Sequence, residues 1–468
     1  MSIQDMDLTR LVREVCEKLQ SQLPADEEDK AKDKGIFKDP DEAVEAAWKA
    51  QKELFEMTLS DRKRITDTIK SHLLLYVEEL SRMVVEETGM GRVADKIVKN
   101  RLAIEKTPST EDLRAGVFTG DDGLTLLELS PFGVIGAITP STNPTETVIC
   151  NTIGMVAAGN SVVFSPHPGA YKATNRAVEL INEAIRMAGG PKNLVVTIDE
   201  PTMAKSEQIM KHKKISILCA TGGPGLVKAV LSSGKKAIGA GAGNPPVVVD
   251  QTANIEKAAK DIVDGSSFDN NLPCIAEKEG IIVDAVFDYL VFNMKKHGAY
   301  EIKDRNTINK LTNLLVPEKW KPNKDFIGKD AKVILKAIGI EVDDSIRLII
   351  MEVEKDHPFV VEELMMPVLP LVRVKDAWEA IDLAVQVEHG FRHTAICHSK
   401  DIDVLTEMGH RIQTTIFVKN GPSYAGIGVG GEGYTTFTIA GPTGEGLTSA
   451  STFTRKRRCA LIGGFNIR

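Results

Sequence analysis

The sequence of 468 residues has no CxxC motif and no closely spaced pair among its six cysteines. Scattered cysteines argue against a disulfide framework and favour a reducing compartment, the cytoplasm. No apolar run approaches the roughly 20 residues that span a bilayer, and the first residues lack the basic start and apolar core of a signal peptide. We therefore expect no membrane segment and no export.

Concentrated positive charge is also scarce. The formal net charge is -7, and the first basic cluster is at 455–458. No basic field is available to attract nucleic acid or an anionic membrane, so neither partner is expected. The chain length and the hydrophobic content of 42% instead predict roughly two or three domains with large cores.

The first 20 residues have the spacing of an amphipathic helix, with apolar side chains at positions 8, 11, 12, 15 and 19. Residues 21–35 are charged and lack apolar periodicity, which predicts a flexible linker. The helix either folds back onto the main domain or serves as an exposed docking peptide. The linker favours docking.

Short apolar runs alternate with helical stretches between residues 132 and 250. The predicted strands are 133–138, 161–164, 193–198, 215–220 and 246–250. This alternation predicts βαβ units and a parallel sheet whose carboxyl edge binds a nucleotide. Residues 41–100 before it are predicted to be helical.

A second α/β pattern follows residue 253. Strands are predicted at 281–283, 348–351 and 369–374, and helices at 255–263 and 377–387. Residues 124–129 and 448–462 are predicted to form β-ribbons attached outside both cores. Residues 428–433 spell GxGxxG, but the strand predicted at 434–439 replaces the helix that a dinucleotide fingerprint requires.

Cys274 follows a polar, proline-containing loop at 267–273 and precedes a predicted helix start. Helix N-terminal amides would stabilise its thiolate. Free cysteines are also common as small buried core residues, so Cys274 alone does not establish a chemistry.

Five separated motifs together resemble the aldehyde dehydrogenase superfamily. They are 139–144 (TPSTNP), 240–249 (AGAGNPPVVV), 269–274 (DNNLPC), 363–368 (ELMMPV) and 420–426 (NGPSYAG). The chain looks most like the CoA-acylating propionaldehyde dehydrogenases of bacterial microcompartments, along essentially its whole length.

The resemblance implies an α/β fold with a Rossmann-like cofactor domain, an α/β catalytic domain and β-ribbon oligomerisation flaps. The implied segments are an encapsulation-type helix at 1–20, a linker at 21–35, a cofactor domain at 36–117 and 133–244, a catalytic domain at 245–440, and flaps at 118–132 and 441–468. It also implies a homo-oligomer, a dimer or tetramer. Residues 1–20 would then bind shell or cargo proteins of a microcompartment in the cytoplasm.

By the same resemblance, Cys274 is the nucleophile that forms a thioester after hydride transfer. Its backbone N–H could supply one oxyanion donor. For the second donor, ungapped counting reaches Thr142, while the side chain of Asn143 fits the role better. Asn143 could also be only a turn residue before Pro144.

His393 matches a histidine of the subfamily and could deprotonate Cys274 or the thiol of coenzyme A. It could equally be an ordinary histidine without a catalytic role. His389, His393, Cys397 and His398 have residue types suited to zinc. Because 394–397 is predicted to be a strand, on which such offsets do not converge, we predict no metal site.

The cofactor implied by the resemblance is NAD. The contacts implied are Thr139, Pro140, Ser165, Pro166, His167, Thr221, Gly222, Gly223 and Glu363. The Thr221–Gly223 turn could instead be a simple helix cap, and Glu363 a surface carboxylate. No acidic residue directly follows 161–164 to reject a 2′-phosphate, so the preference for NAD over NADP rests on the resemblance.

The sequence lacks a glutamate that would activate water, and this bears on which molecule receives the acyl group. Hydrolytic relatives carry a water-activating glutamate near the position of Ala240, which offers no base here. Without that base an acyl enzyme can wait for a thiol, consistent with transfer to coenzyme A. We predict reversible conversion of propanal, coenzyme A and NAD to acyl-CoA and NADH. Acetaldehyde as substrate, acyl-phosphate reduction and a non-catalytic assembly role are the alternatives.

Overall fold

The computed structural model describes residues 27–318 and 321–467. The helix predicted at 1–20 lies outside these residues. The predicted linker 21–35 is described from residue 27, and there Glu27–Asp33 form a helix. The prediction of an irregular linker is wrong for this part because Lys32 Nζ lies 3.2 Å from a carboxylate oxygen of Glu28, one turn earlier, and 2.9 Å from one of Glu42. Ion pairs between residues four positions apart, such as Glu28 and Lys32, stabilise a helix.

Four longer helices confirm the helical pattern predicted over 41–100. They are Pro40–Phe55, Leu59–Leu73, Val77–Thr88 and Val93–Lys106. The first begins at Asp39, whose carboxylate accepts hydrogen bonds from two backbone amides, and the second at a capping box between Thr58 and Asp61. In the described residues, no helix is long and apolar enough to cross a membrane.

A six-stranded parallel sheet forms the first α/β unit. In spatial order its strands are Ile36–Phe37, Val195–Ile198, Ser161–Ser165, Val134–Ile138, Ile215–Thr221 and Lys236–Ala240. The helices Pro144–Ala157, Tyr171–Met187, Met203–Lys211 and Pro224–Leu231 connect or flank them. Four of the strands confirm predictions. The two edge strands were not predicted from the sequence. One is only two residues long, and the other is rich in Lys, Ala and Gly, which are poor strand formers.

The chain order reverses within this sheet between Val134–Ile138 and Ile215–Thr221. From the former the chain winds outward through Ser161–Ser165, and then returns to the other side. Ligands of open α/β sheets bind outside the carboxyl ends of the strands at such a reversal. The fold therefore places a ligand crevice beside Thr139 and Thr221.

A seven-stranded parallel sheet forms the second unit. In spatial order its strands are Ala299–Glu301, Leu348–Glu352, Val368–Val374, Glu279–Val283, Pro246–Val249, Thr394–His398 and Ile416–Lys419. The helices predicted at 255–263 and 377–387 are confirmed as Ile255–Ser267 and Ala377–Val387. The strand predicted at 246–250 belongs to this sheet, and not with the strands that precede it in sequence. An apolar run alone does not reveal which sheet receives it.

A three-stranded antiparallel sheet lies outside both parallel sheets and contains Gly116–Gly120, Gly123–Pro131 and Thr454–Ile462. It confirms the ribbons predicted at 124–129 and 448–462, except that the second begins with a 3-10 turn, Ala450–Phe453. The predicted α/β fold, with a Rossmann-like unit, a second α/β unit and a β-ribbon, is thus confirmed.

The strand predicted at 434–439 is wrong over most of its length, since only Ile439–Ala440 pair, with Gly446–Leu447. Local side-chain hydrogen bonds replace the ladder. The Thr438 backbone N–H donates to Thr436 Oγ1 at 3.1 Å, and the Tyr434 hydroxyl donates to the Leu447 carbonyl at 2.9 Å. Threonine side chains compete with sheet hydrogen bonds in this way.

Candidate active site

The loop before Cys274 holds a strained backbone. It forms a 3-10 turn, Phe268–Asn271, in which Asp269, Asn270 and Asn271 have φ of 48°, 55° and 65°. Asp and Asn tolerate this left-handed region better than other residues with a β carbon. Asn271 Nδ2 donates to the carbonyl oxygens of residues 266 and 277 at 2.8 and 2.9 Å. The loop is therefore fixed at both ends.

No helix follows Cys274, so the predicted stabilisation of its thiolate by helix amides is wrong. The Ala276 backbone N–H donates to the Pro273 carbonyl at 3.0 Å and closes a turn. The strand Glu279–Val283 then begins. The residues after the turn are needed as a central strand of the second sheet, and this tertiary requirement overrides the local helix signal.

Cys274 lies in a small, mostly apolar cavity of about 10 Å³. The lining residues are Asn143, Pro273, Cys274, Ile275, Ile427, Thr436, Phe437 and Ile439. This volume is at the lower limit for one water molecule. Burial, followed by the nearby carboxylate of Glu363, raises the pKa of Cys274 to about 12. The thiol is therefore protonated at neutral pH and needs a proton acceptor before it can attack.

Asn143 is the polar side chain from the first sheet that reaches this cavity. It follows the strand Val134–Ile138 and precedes the buried helix Pro144–Ala157. Its Oδ1 accepts a hydrogen bond from Lys99 Nζ at 2.5 Å, and its Nδ2 donates to Thr142 Oγ1 at 3.3 Å. Thr142 itself is not among the cavity residues. Asn143 therefore has the better placement for an oxyanion donor.

His393 is buried behind Cys274. Gly243 lies between the His393 ring and the Cys274 backbone. A β carbon built at Gly243 would lie 2.9 Å from His393 Cγ and 2.8 Å from the Cys274 carbonyl oxygen, so a larger residue does not fit there. His393 Nδ1 contacts Thr394 Oγ1 at 2.9 Å, and Nε2 has no hydrogen-bond partner in the described residues. Burial, with a smaller effect of Lys278, lowers the pKa of His393 to about 4. The imidazole is neutral at physiological pH and can accept a proton.

Glu363 is held beside the same residues and is not a free surface carboxylate. Its Oε1 lies 3.6 Å from Lys278 Nζ, and the Gly243 backbone N–H donates to its carboxylate. Burial raises the pKa of Glu363 and lowers that of Lys278. Cys274, Gly243, His393 and Glu363 each precede one of four adjacent strands of the second sheet. The site is therefore built on the amino edge of that sheet.

Most of the predicted cofactor residues lie at or near the carboxyl edge of the first sheet, whereas Glu363 lies at the amino edge of the second. Thr139, Ser165 and Thr221 end or follow three neighbouring strands, and the Thr139 backbone N–H donates to the Ser165 carbonyl at 3.2 Å. Pro140 follows Thr139 on the way to Asn143. The hydroxyl of Thr139 is buried without a partner. A buried donor of this kind suits a ligand oxygen.

Three of the predicted contacts at this edge already have partners within the protein. Thr221 Oγ1 contacts Thr438 Oγ1 at 2.9 Å. Ser165 Oγ contacts Ser206 Oγ at 2.8 Å, and His167 Nδ1 accepts from the Gly169 N–H at 3.0 Å, next to Pro166. The turn at Gly222 and Gly223 leads into helix Pro224–Leu231, as predicted.

A cavity of about 320 Å³ lies beside this helix. It is lined by Pro224, Val227, Lys228, Leu231, Ser232, Gly241, Ala242, Phe391 and Pro442. Its mainly apolar walls fit one end of a nucleotide.

Residues 17–437 match the aldehyde dehydrogenase family. The chain belongs to this family. A propanal dehydrogenase (CoA-propanoylating) from Salmonella typhimurium is 49% identical over 99% of both chains. An acetaldehyde dehydrogenase (acetylating) from the same organism is 48% identical over 92% of this chain and 93% of the relative.

Solved structures of similar proteins agree with the fold. The structure of Rhodopseudomonas palustris propionaldehyde dehydrogenase with bound CoA and an acylated cysteine has a TM-score of 0.92 and 60% identity, covering 93% of this chain and 100% of that one. A propionaldehyde dehydrogenase from the Clostridium phytofermentans fucose utilisation bacterial microcompartment has a TM-score of 0.91 and 54% identity, covering 93% and 100%.

The zinc alternative finds no geometric support in this aldehyde dehydrogenase. The described residues contain no group of three or more His, Cys, Asp or Glu side chains that could hold a metal ion. His389 Nε2 contacts the Val361 carbonyl at 3.0 Å. Cys397 and His398 lie on strand Thr394–His398, where successive side chains point to opposite faces.

Sequence reasoning missed the charged residues that support the site. Lys96, Lys99 and Asp269 have fully buried side chains in mutual contact. Glu277 is also buried, and accepts hydrogen bonds from the backbone N–H and the hydroxyl of Ser423 at 2.8 and 2.7 Å. A charged residue in a helical or loop pattern normally indicates a solvated surface. No signal in the single sequence marks these as exceptions.

Proposed function

We propose that this chain oxidises propanal to propanoyl-CoA with NAD, through a thioester on Cys274. The observation that carries the proposal is the small apolar cavity in which Cys274 faces the amide of Asn143. The apolar walls suit a short alkyl chain, and because the cavity has room for no more than one water molecule, the walls must move apart to admit the substrate. The amide is a donor for the oxygen of a tetrahedral intermediate. The names of the relatives at 49% identity support the same reaction.

The chemistry of the chain's own residues follows from their placement. Sγ of Cys274 attacks the aldehyde carbon while its proton passes to the neutral His393. Asn143 Nδ2 and the Cys274 backbone N–H stabilise the oxygen that becomes negative. NAD, when bound, accepts the hydride that leaves this carbon. The carbon is then a thioester on Cys274. The thiol of coenzyme A attacks this carbon and loses its proton, and the bond to Cys274 Sγ breaks. One proton returns to the Cys274 thiolate, and the proton first taken by His393 leaves to solvent.

The NAD site lies at the carboxyl edge of the first sheet. The residues that would hold it are Thr139, Pro140, Ser165, Pro166, His167, Thr221, Gly222, Gly223 and Glu363. The buried unpartnered hydroxyl of Thr139 and the nearby cavity fit this assignment. The side chains of Ser165 and His167 are engaged elsewhere, so a direct contact there would come from their backbone.

Transfer to a thiol is favoured over hydrolysis. Ala240 ends a strand of the first sheet and is buried, in the region where hydrolytic relatives carry a glutamate base. Glu363, the carboxylate that contributes to the raised pKa of Cys274, lies 3.6 Å from Lys278 Nζ and accepts a hydrogen bond from a backbone amide. A carboxylate held in this way is a poor base for water, and a thiol with its own ionisable proton discharges the thioester.

Acetaldehyde is the second candidate substrate. Relatives named acetaldehyde dehydrogenase (acetylating) are 48% and 46% identical, and apolar walls that must move apart to admit either aldehyde do not select between chains of two and three carbons. One methylene in an apolar pocket discriminates by only about 10- to 200-fold.

A steady-state assay of NADH production by the full chain tests the proposal. We expect turnover of propanal that requires coenzyme A and exceeds that of acetaldehyde in kcat/KM. Cys274→Ala should abolish turnover, while Cys397→Ala, a buried cysteine on strand Thr394–His398, serves as the matched control. NADH production without coenzyme A, or with phosphate in its place, would contradict the proposal.

We also propose the assembly implied by the family resemblance. The cofactor domain is 36–117 and 133–244, the catalytic domain 245–440, and the flaps 118–132 and 441–468 join copies into a dimer or tetramer. Residues 1–20 would bind shell or cargo proteins of a microcompartment, and the relative from a fucose utilisation microcompartment supports this. Deletion of 1–20 should abolish encapsulation and leave turnover intact. Loss of turnover would count against a separate docking helix.

A further inference from the structure

Two lysines are buried next to the candidate oxyanion donor. Lys96 and Lys99 are three residues apart on helix Val93–Lys106, so they share one face. Both side chains have no exposed surface. Fully buried lysines are rare unless paired, because removal of an ammonium group from water is costly. Their partners therefore indicate why they are present.

Each lysine contacts both a carboxylate and the segment that carries Asn143. Asp269 Oδ2 lies 2.9 Å from Lys96 Nζ and 2.5 Å from Lys99 Nζ. A carboxylate oxygen of Glu146 lies 3.0 Å from Lys99 Nζ. Lys96 Nζ also donates to the Thr142 carbonyl at 2.6 Å. Two positive and two negative charges thus balance within the cluster.

The third partner of Lys99 is Oδ1 of Asn143, at 2.5 Å. An ammonium group has only donors, so it fixes the acceptor end of the carboxamide and excludes the flipped orientation. The Nδ2 end then has one intramolecular acceptor, Thr142 Oγ1 at 3.3 Å. An amide nitrogen carries two protons, so one proton of Nδ2 is left for the cavity that Asn143 shares with Cys274.

Asp269 links this cluster to the nucleophile. It is the first of the three residues with positive φ that lead to Cys274. Its Oδ1 accepts from the Arg92 backbone N–H at 2.9 Å, and its own N–H donates to Asp95 at 2.9 Å. One carboxylate therefore holds both the loop of Cys274 and the lysines that orient Asn143.

We infer that Lys99 and Asp269 are positioning residues for the acylation step: they set the carboxamide of Asn143 and the loop of Cys274 in one common geometry. This inference rests on the proposed function, because the oriented amide matters only if a negative oxygen forms beside Cys274. Lys99 acts through Asn143, and it touches neither substrate nor cofactor.

A double-mutant cycle tests the inference. Lys99→Met combined with Glu146→Gln removes one charge of each sign and leaves Lys96 with Asp269. We expect this pair to slow single-turnover NADH formation by about 10- to 100-fold, and Asn143→Ala to slow it by about 10²- to 10³-fold. In the Asn143→Ala background, the Lys99 and Glu146 changes should slow NADH formation by less than a further factor of about two. The carboxamide through which they act is already absent there.

Controls separate positioning from general damage. The KM for coenzyme A and the melting temperature should change little in the pair. Lys70→Met removes another partly buried lysine, which donates to the Thr107 carbonyl, and should retain turnover within about twofold. Unchanged single-turnover rates in the pair, or rate losses that multiply in the Asn143→Ala background, would overturn the inference.

A wild-type readout covers the outcome in which the pair does not fold. In a crystal structure of the enzyme acylated on Cys274, the acyl oxygen should lie within hydrogen-bond distance of Asn143 Nδ2 while Oδ1 remains on Lys99. An acyl oxygen directed elsewhere would overturn the inference. Failure of the proposed function is a different result: the wild-type chain would then show no CoA-dependent NADH production at all.

Discussion

Cys274 and His393 have pKa shifts in opposite directions, and both shifts have burial as their main cause. The pKa of the Cys274 thiol is raised to about 12, and the pKa of the His393 imidazole is lowered to about 4. The neutral forms of both groups coexist at every physiological pH. If Cys274 is the nucleophile, as proposed, its attack cannot rely on a preformed thiolate and needs a proton acceptor. We propose the buried, neutral His393 for this role.

This pairing predicts an unusual pH profile for the acylation step. Because the pKa of His393 is lowered to about 4, the imidazole stays neutral as the pH falls below its ordinary 6.5. We expect kcat/KM for propanal to be nearly flat from about pH 8 to about pH 5. The His393→Ala variant should have a lower kcat/KM, and this kcat/KM should rise about tenfold for each unit of increasing pH, because the thiolate fraction of Cys274 rises with pH. An acid limb near pH 6.5 in the wild type would contradict the assignment.

At this scale the sequence predicted candidate residues for the site, but not the charged residues that the structure places around them. Cys274, Asn143 and His393 stand in short motifs that resemble a known family. Lys99 and Asp269 are 170 positions apart in sequence, and their pairing arises only when the helix Val93–Lys106 packs against the loop of Cys274. Single-sequence patterns contain periodicity, and they do not contain such distant pairings.

Secondary-structure elements were predictable where the apolar pattern was strong. The strand Ser161–Ser165 and the helix Ala377–Val387 follow directly from their residues. The helix expected after Cys274 is wrong because strand Glu279–Val283 takes those residues into a sheet. Local signals fail where tertiary structure sets a competing demand, and here that happens next to the reacting residue.

Helix Ile255–Ser267, which leads into the loop of Cys274, supports a prediction about packing. Replacement of glycine by alanine in a helix normally stabilises it by about 1 kcal/mol. At Gly265, however, a β carbon would lie 2.2 Å from Glu277 Oε2, a carboxylate anchored by Ser423. Gly265→Ala should lower the free energy of unfolding by about 1–3 kcal/mol, measured by urea denaturation.

The matched control for this prediction is Gly225→Ala, in helix Pro224–Leu231. A β carbon there meets no atom within 4 Å, so this change should stabilise the protein by about 0.5–1 kcal/mol. Equal effects of the two changes would show that the contact with Glu277 does not constrain the helix.

The whole molecule joins the carboxyl edge of one parallel sheet to the amino edge of another. Thr139 and Thr221 belong to the first edge, and Cys274, Glu363 and His393 to the second. The proposed cofactor contacts and the proposed nucleophile thus belong to different sheets, so in this proposal the alignment of the reacting atoms depends on the contact between the sheets. Segments that keep this contact rigid should matter for turnover even when they lie far from Cys274.

The three-stranded sheet supports a last prediction, at the scale of the assembly. Among the residues that the structure describes, strand Thr454–Ile462 pairs on one edge only, with Gly123–Pro131. Its last apolar residue, Ile462, is 81% exposed and Phe465 beyond it is 78% exposed. An unpaired edge with exposed apolar side chains favours association with another chain. Ile462→Asp combined with Phe465→Asp should therefore lower the solution mass, measured by light scattering, from an oligomer to a monomer.

Ile402→Asp is the control, since Ile402 is 70% exposed at the start of helix Ile402–Ile412 and should leave the mass unchanged. If the flap joins copies and also keeps the two sheets in register, the monomer will retain its fold and lose part of its turnover. An unchanged oligomer in the double variant would remove the flap from the interface. A monomer with full turnover would show that each chain aligns its two sheets without a partner.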